Sequence, residues 1–385
     1  MAERPYDLVL FGATGFTGGM TAEYLARHAP SSLRLALAGR NQQKLEAVKK
    51  RLVDINPQCA SVGILEADIG DDESLQSMAA STRVLLTTVG PFIDYGEPVA
   101  RACIEQGTDY IDSTGEPQYV DLLLNKYQAR AVEQGVRLIP SCGFDSVPAD
   151  LGVLFTVLKL PEAQSINVSG YLSLRAMPSG GTERSAIKTF APRSSDNPEV
   201  PPVASEGRVV RLNKARVEKK HGGWSAPLET LDGVVVTRSA AARSEYGQRF
   251  SYAHHVIHPN FLVMGLALFF FGTLAFLARL SPLREAFLSL AKKSGQGPNK
   301  KQMDRGWFRM RFEAEADGTH LETEVSGGEP FYTETSKILA EAALCLLEYN
   351  SDDASISGIL TPATALGEPL IERLQRAGIT FSSGV

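Results

Sequence analysis

Seven residues near the amino end, Gly12-Ala13-Thr14-Gly15-Phe16-Thr17-Gly18, have the types and spacing of a turn that wraps an anion. Gly12 permits a tight turn, Gly15 lets backbone approach a diphosphate, and Gly18 lets a following helix sit close on the preceding strand. A helix opening there turns its unpaired N–H groups and positive dipole end toward the bound group. The expected chemistry is capture of a dinucleotide by its pyrophosphate. The spacing G-x-x-G-x-x-G departs from the commoner G-x-G-x-x-G, and a glycine-rich turn without a ligand is the alternative. The context favours the ligand, because an apolar strand, Tyr6 to Phe11, leads in and a helical pattern runs on to about Ala29.

Other residues are placed to complete such a site. A second short strand ends at Gly39-Arg40. An NAD enzyme usually carries Asp or Glu there for the ribose hydroxyls, whereas a guanidinium suits a 2'-phosphate, so Arg40 points to NADP rather than NAD. A surface arginine is the plainer alternative. Asp68, at the end of a third strand, falls beside the adenine in folds of this kind, or serves only its own turn. Val89, Gly90 and Pro91 close a fourth strand and, with the segment as far as Tyr95, are expected near the nicotinamide half.

Hydride transfer also needs a donor for the proton or for the developing negative charge. Tyr95, Asp112, Ser113, Glu116, Asp145 and Ser146 are the candidates at the carboxyl edge of these strands, and Tyr95, Asp145 and Ser146 are the three selected as catalytic. The competing role for Asp145 is capping a helix that begins at Ser146; for Tyr95 it is packing at a domain boundary. No Tyr-x-x-x-Lys pair follows the fifth strand as in short-chain dehydrogenases, and no Ser-His-Asp or Cys-His arrangement stands out.

The elements that must position these residues follow a simple rhythm. Strands at Tyr6–Phe11, 33–39, 61–67, Arg83–Val89, Tyr110–Asp112 and 136–140 alternate with helical patterns, one of them opening at Asn41 with Leu45, Val48 and Leu52 on one face. Such alternation means an α/β, Rossmann-type doubly wound parallel sheet over about 1–145. From 146 to 335 the pattern changes to longer alternating strands, Ser165 to Met177, Gly207 to Leu212, Gly233 to Ser239, Trp307 to Ala316 and His320 to Ser326. These predict an α+β substrate domain with a mostly antiparallel sheet. Within it Gly180-Gly181-Thr182 opens a short helix to Phe190, facing a substrate carboxylate or thioester or simply capped. Residues 336–385 return to helix, with Ile338, Ala342, Cys345 and Tyr349 on one stripe, a 358–362 connection, and a helix from Glu368 to Ala377.

Composition excludes several classes. With 385 residues, 43% hydrophobic and 22% charged, the chain is an ordinary globular protein, and a net charge of -5 without a basic aromatic run argues against nucleic acid. Four dispersed cysteines suggest neither disulfides nor a metal site, and the charged start lacks a signal core, so a cytoplasmic protein is expected. Phe261 to Ala278, FLVMGLALFFFGTLAFLA, is eighteen residues without a charge. A full crossing would divide one sheet between two compartments. The expectation is therefore peripheral membrane association, dipping into one leaflet of a membrane surface or lipid droplet; the alternative is a helix covered by its own domain or by a second subunit in a homodimer.

Taken together, the glycine loop, Ala38-Gly39-Arg40, Gly90-Pro91-Phe92 with Tyr95-Gly96, Tyr110-Ile111-Asp112-Ser113-Thr114-Gly115-Glu116, Gly143-Phe144-Asp145-Ser146-Val147-Pro148, Gly180-Gly181-Thr182 and Gly295-Gln296-Gly297-Pro298 resemble the saccharopine dehydrogenase-like oxidoreductases. Within that group the chain is similar to the trans-acting enoyl reductases and their lipid-droplet-associated relatives. The resemblance implies a Rossmann domain whose residues 12–18 cradle the pyrophosphate, Arg40 on the 2'-phosphate, Gly90 and Pro91 flanking the nicotinamide, and C-terminal helices packing back on the first domain. It also implies NADPH-dependent reduction of an enoyl or related acyl group carried on a lipid or acyl carrier. The rivals are a saccharopine-type amino-acid dehydrogenase, for which Arg175, Arg184 and Arg193 would have to line the cleft, and a non-catalytic NADP-binding protein associated with lipid.

Overall fold

The computed structural model describes residues 4–176, 207–278, 298–348 and 356–384. Two sheets carry the chain. The first is built from β1 (Tyr6–Phe11), α1 (Phe16–His28), β2 (Leu35–Gly39), α2 (Gln42–Ile55), β3 (Gly63–Glu66), α3 (Asp72–Ala80), β4 (Thr82–Thr87), α4 (Phe92–Gln106), β5 (Asp109–Asp112), α5 (Pro117–Glu133) and β6 (Arg137–Ile139). The strands lie parallel in the order β14-β6-β5-β4-β1-β2-β3, with β14 (Gly358–Ile359) returning from far along the chain to pair with β6. Leu8, Val9, Leu10, Leu85 and Leu86 have no exposed surface, because central parallel strands are covered on both faces and must be apolar throughout. Caps follow the sequence: the Asn41 side chain accepts from the Lys44 N–H at 2.9 Å, and Asp71 does the same for Glu73 and Ser74.

The second sheet begins after α6 (Val147–Val157). It contains β7 (Ser165–Arg175), β8 (Val209–Leu212), β9 (Glu218–Lys220), β10 (Gly223–Pro227), β11 (Arg249–His258), β12 (Trp307–Ala316), β13 (Thr319–Gly327) and the late β15 (Thr380–Ser383), in the order β15-β13-β12-β7-β11-β10-β9, with β8 beside β11. It is mixed and mostly antiparallel; β11 runs parallel to β7 and β8. Along β12, Phe308, Met310, Phe312 and Ala314 are buried while Arg309 and Arg311 pair with Glu324 on the other face. This period of two is what a sheet packed on one side requires.

One expected strand is a helix. Gly233 to Ser239 lies inside α7 (Leu231–Ala242), whose Leu231 and Val235, four residues apart, pack on Val120 of α5. The apolar segment forms the helix α8 (Phe261–Ala278), and a short α9 (Lys300–Met303) precedes β12. Beyond β13, α10 (Thr335–Glu348) buries Ile338, Ala342 and Cys345 and rests on α1; the Tyr24 hydroxyl donates to Glu341 at 2.7 Å. The expected 358–362 connection contains β14. It is followed by α11 (Pro362–Ala365), α12 (Gly367–Arg376) and β15 (Thr380–Ser383), which pairs with β13. The segment opening at Gly180, with Arg184 and Arg193, lies outside the described residues, as do Tyr349 and Gly295 to Gly297.

Candidate functional site

The glycine turn and the end of β4 meet at the carboxyl edge of the first sheet. Gly12 has φ +91°, a left-handed conformation that side chains rarely adopt, and its N–H donates to the Ala38 carbonyl of β2 at 3.0 Å. The turn closes on itself through Gly15 N–H to Gly12 O, 2.9 Å. A Cβ on Gly18 would stand 2.3 Å from Gly12 O and 2.7 Å from Thr88 Oγ1, so bare backbone at this position is what allows α1 to sit against the turn. Ala13 is fully buried, Thr14 and Gly15 are exposed, and Phe16 and Thr17 are half-buried. Among the described residues no side chain caps α1, and no acidic residue lies in its first turn, so its first N–H groups are left without a protein anion to compete for them. That is a cradle into which a diphosphate fits.

Around it the selected residues fall as follows. Arg40 is exposed one residue beyond β2, and among the described residues its guanidinium forms no ion pair. Asp68 is exposed, and its Oδ1 accepts from the Gly70 N–H at 2.8 Å, so its carboxylate serves a turn as well as lying past the end of β3. Val89 is adjacent to the glycine turn, its Cγ2 2.8 Å from the place a Gly12 Cβ would take, and it leads into the cis Gly90-Pro91 bond and α4. Residues 12–18 and 88–91 are thus brought together. The far side of the turn is closed by the C-terminal half, with Tyr332 edge-on to Phe16 at 5.0 Å and the Ser336 hydroxyl donating to Thr17 O at 3.3 Å.

The three selected catalytic residues differ in what they can reach. Tyr95, in the first turn of α4, is 42% exposed rather than packed at a boundary. Ser146 is buried and its hydroxyl donates to the Asp145 carbonyl at 2.7 Å, which commits it to the turn. Asp145 does not cap α6, for which Ser146 is the N-cap residue without a side-chain bond; its carboxylate is exposed beside Gly115 instead. Enclosing protein raises the Asp145 carboxyl above its ordinary value although one side stays open to water.

Sequence reasoning missed a second acid there. Asp232, in the first turn of α7, is pushed up to about 8 by burial, held back by the Thr230 hydroxyl donating to it at 2.5 Å, and raised further by the nearby Asp145 charge. Nothing in a linear reading could have found it, because 233–239 read as strand and placed the preceding residues elsewhere.

Residues 8–139 match the family model described as saccharopine dehydrogenase NADP binding domain. The chain is 35% identical to a saccharopine dehydrogenase-like oxidoreductase of Bos taurus and 34% to that of Homo sapiens, covering 99% of this chain and 97% of each relative. It is 31% identical to a trans-acting enoyl reductase of Mycobacterium bovis, over 99% of this chain and 98% of that one. Among solved structures, apo saccharopine dehydrogenase (L-Glu forming) of Saccharomyces cerevisiae superposes with a TM-score of 0.59 over 99% of this chain and 100% of its own, at 13% identity, and so shares the fold. With a cradle that fits a diphosphate and relatives of this identity along its whole length, the chain belongs to the saccharopine dehydrogenase-like oxidoreductases and binds NADP.

Proposed function

We propose that this NADP-binding oxidoreductase is an enoyl reductase that draws an acyl-type substrate, carried on a lipid or an acyl carrier, from a membrane surface. The observation that carries the membrane half is the face of α8 formed by Leu262, Leu266, Phe269 and Phe270, which are 77%, 69%, 74% and 63% exposed, whereas Met264 is buried. Large apolar side chains at this spacing form one continuous patch, which water disfavours and a leaflet accepts. Among the described residues no helix is long and apolar enough to cross a membrane, in keeping with a helix lying in one leaflet. Trp224 stacks edge-on to Phe261 at 5.2 Å, and Trp307 is 43% exposed close to Lys300 and Lys301 in sequence, residue types suited to the interface.

In full-length protein, Leu266→Glu with Phe269→Glu is expected to lower co-flotation with anionic phospholipid vesicles at least about tenfold. NADPH affinity should stay within about twofold. Undiminished flotation would reject the leaflet reading.

Reducing a carbon–carbon double bond adds hydride at one carbon and a proton at its neighbour. The coenzyme supplies the hydride when bound, and a group on this chain must deliver the proton. Asp145 is suited to that, being accessible at the sheet's carboxyl edge with a raised carboxyl. A donor acts in its protonated form, so the rate is expected to fall as pH rises through that raised value. Asp145→Asn should lower the rate of NADPH oxidation with a short-chain enoyl thioester about 100-fold and remove that limb of the pH profile. An unaltered profile would assign the proton to another group.

The amino-acid dehydrogenase reading fares less well on charge. Arg175 stands exposed at the end of β7, and a dicarboxylate approaching the carboxyl edge of the first sheet would meet Asp145. Turnover with saccharopine, or with glutamate plus a semialdehyde, would reverse the preference. NADPH binding without oxidation across enoyl and carbonyl compounds would favour the non-catalytic reading instead.

A further inference from the structure

The turns that leave β4, β5 and β6 at the coenzyme edge are joined beneath the surface by two buried carboxylates. Asp112, which ends β5, accepts on Oδ1 from the N–H groups of Thr114 at 2.8 Å and Ser141 at 2.9 Å, so it ties the turn after β5 to the turn after β6. Its Oδ2 accepts from the Tyr110 hydroxyl at 2.7 Å, with the Tyr119 hydroxyl 3.0 Å further on. Thr114 passes the connection along, because its Oγ1 accepts from the Glu116 N–H at 3.1 Å. Glu116, only 1% exposed, then accepts from the Phe92 N–H on Oε1 at 3.1 Å and from the Ile93 N–H on Oε2 at 2.9 Å.

Those last two amides open α4, immediately after Val89-Gly90-Pro91. Two helices therefore begin at this edge with opposite electrostatic treatment. The N-terminus of α1 is left to a ligand, while that of α4 is already satisfied by an internal anion. A carboxylate accepting two amides at a helix start is held firmly, since charge-assisted bonds and the helix dipole act together. It also removes a competing seat for a phosphate or for a substrate carboxylate.

We propose that Glu116 is a positioning residue for the nicotinamide half of the coenzyme. By occupying the α4 N-terminus it fixes the turn 89–91 and leaves α1 as the helix end open to the diphosphate, so that the ring reaches its place in one orientation. Asp112 anchors the other end of the same frame. This rests on the NADP-binding reading, and the two can fail separately.

The test uses the full-length chain and two probes, 2',5'-ADP for the adenosine half and NADPH for the whole. Affinities are read by titration calorimetry and ring immobilisation by the fluorescence lifetime of bound NADPH. In Glu116→Gln, which keeps the size of the side chain but loses its charge and one acceptor, 2',5'-ADP should bind within about twofold of wild type. NADPH should bind about tenfold more weakly, with a nicotinamide lifetime moved toward that of free NADPH. Thr114→Val, which preserves shape and the backbone bond to Asp112 but removes the Oγ1 acceptor of the Glu116 N–H, should shift the same ratio in the same direction more weakly. Equal losses for both probes would mean general destabilisation and overturn the proposal, as would an unchanged NADPH lifetime in both variants. Wild-type protein that binds neither probe would overturn the coenzyme reading itself.

Discussion

Arg40→Glu is expected to weaken NADPH binding about 100-fold while leaving NADH within about threefold, a reversal of coenzyme preference readable by parallel titrations. The magnitude follows from a charge-assisted contact worth about 1.5–3 kcal/mol, lost and replaced by like-charge repulsion, where each 1.4 kcal/mol is a factor of ten. Glutamate at the end of β2 is also the residue type that serves ribose hydroxyls, which is why NADH is spared. Arg40 is exposed, and among the described residues no carboxylate pairs with it, so the fold should not register the change. Equal weakening of both coenzymes would deny Arg40 its role as the selector.

The second large effect is a methyl group. Replacing a helical glycine by alanine usually stabilises by up to about 1 kcal/mol. At Gly18 the sign should invert, since the added carbon would meet the Gly12 carbonyl at 2.3 Å and Thr88 Oγ1 at 2.7 Å, both part of the turn itself. Overpacking of this kind costs about 1–3 kcal/mol, which for a chain of this size lowers Tm by roughly 1–4 °C. Because the displaced carbonyl shapes the cradle, NADPH affinity should fall with it, by more than tenfold. Gly19→Ala is the control: its Cβ would find only ordinary contacts, Arg51 Nη2 at 3.6 Å and the Ala13 carbonyl at 3.7 Å. If Gly18→Ala bound NADPH as tightly as Gly19→Ala, close approach of α1 to the turn would not be what the site depends on.

The parts of this site that could be read from sequence are those whose chemistry is local. A turn that needs left-handed backbone at Gly12, a helix that must begin beside it, and a side chain at the end of the next strand all sit within forty residues, and each leaves a residue-type signature. The first sheet was legible for the same reason: its strands are apolar on both faces. The stretch Gly233 to Ser239 misled because a run containing Val234, Val235 and Val236 favours strand by side-chain type. Only its packing on Val120 of α5 decides for helix. Glu116 and Asp232 escaped in another way. Their types were visible, but their roles depend on partners such as Ile93 and Asp145 that only the fold brings close. The strand β14 is two residues long and pairs across more than two hundred residues of chain, so no local periodicity announces it.

That late strand, together with α10 lying on α1, bears on how the protein is made. The half that receives the coenzyme takes its edge strand and part of its cover from residues beyond 335, so during synthesis the first hundred and forty residues emerge from the ribosome as an unfinished half. Its apolar flank stays open until residues 335 to 359 have been made. A ribosome that stalls before residue 335 therefore releases this half without its edge strand and without the helix that covers α1.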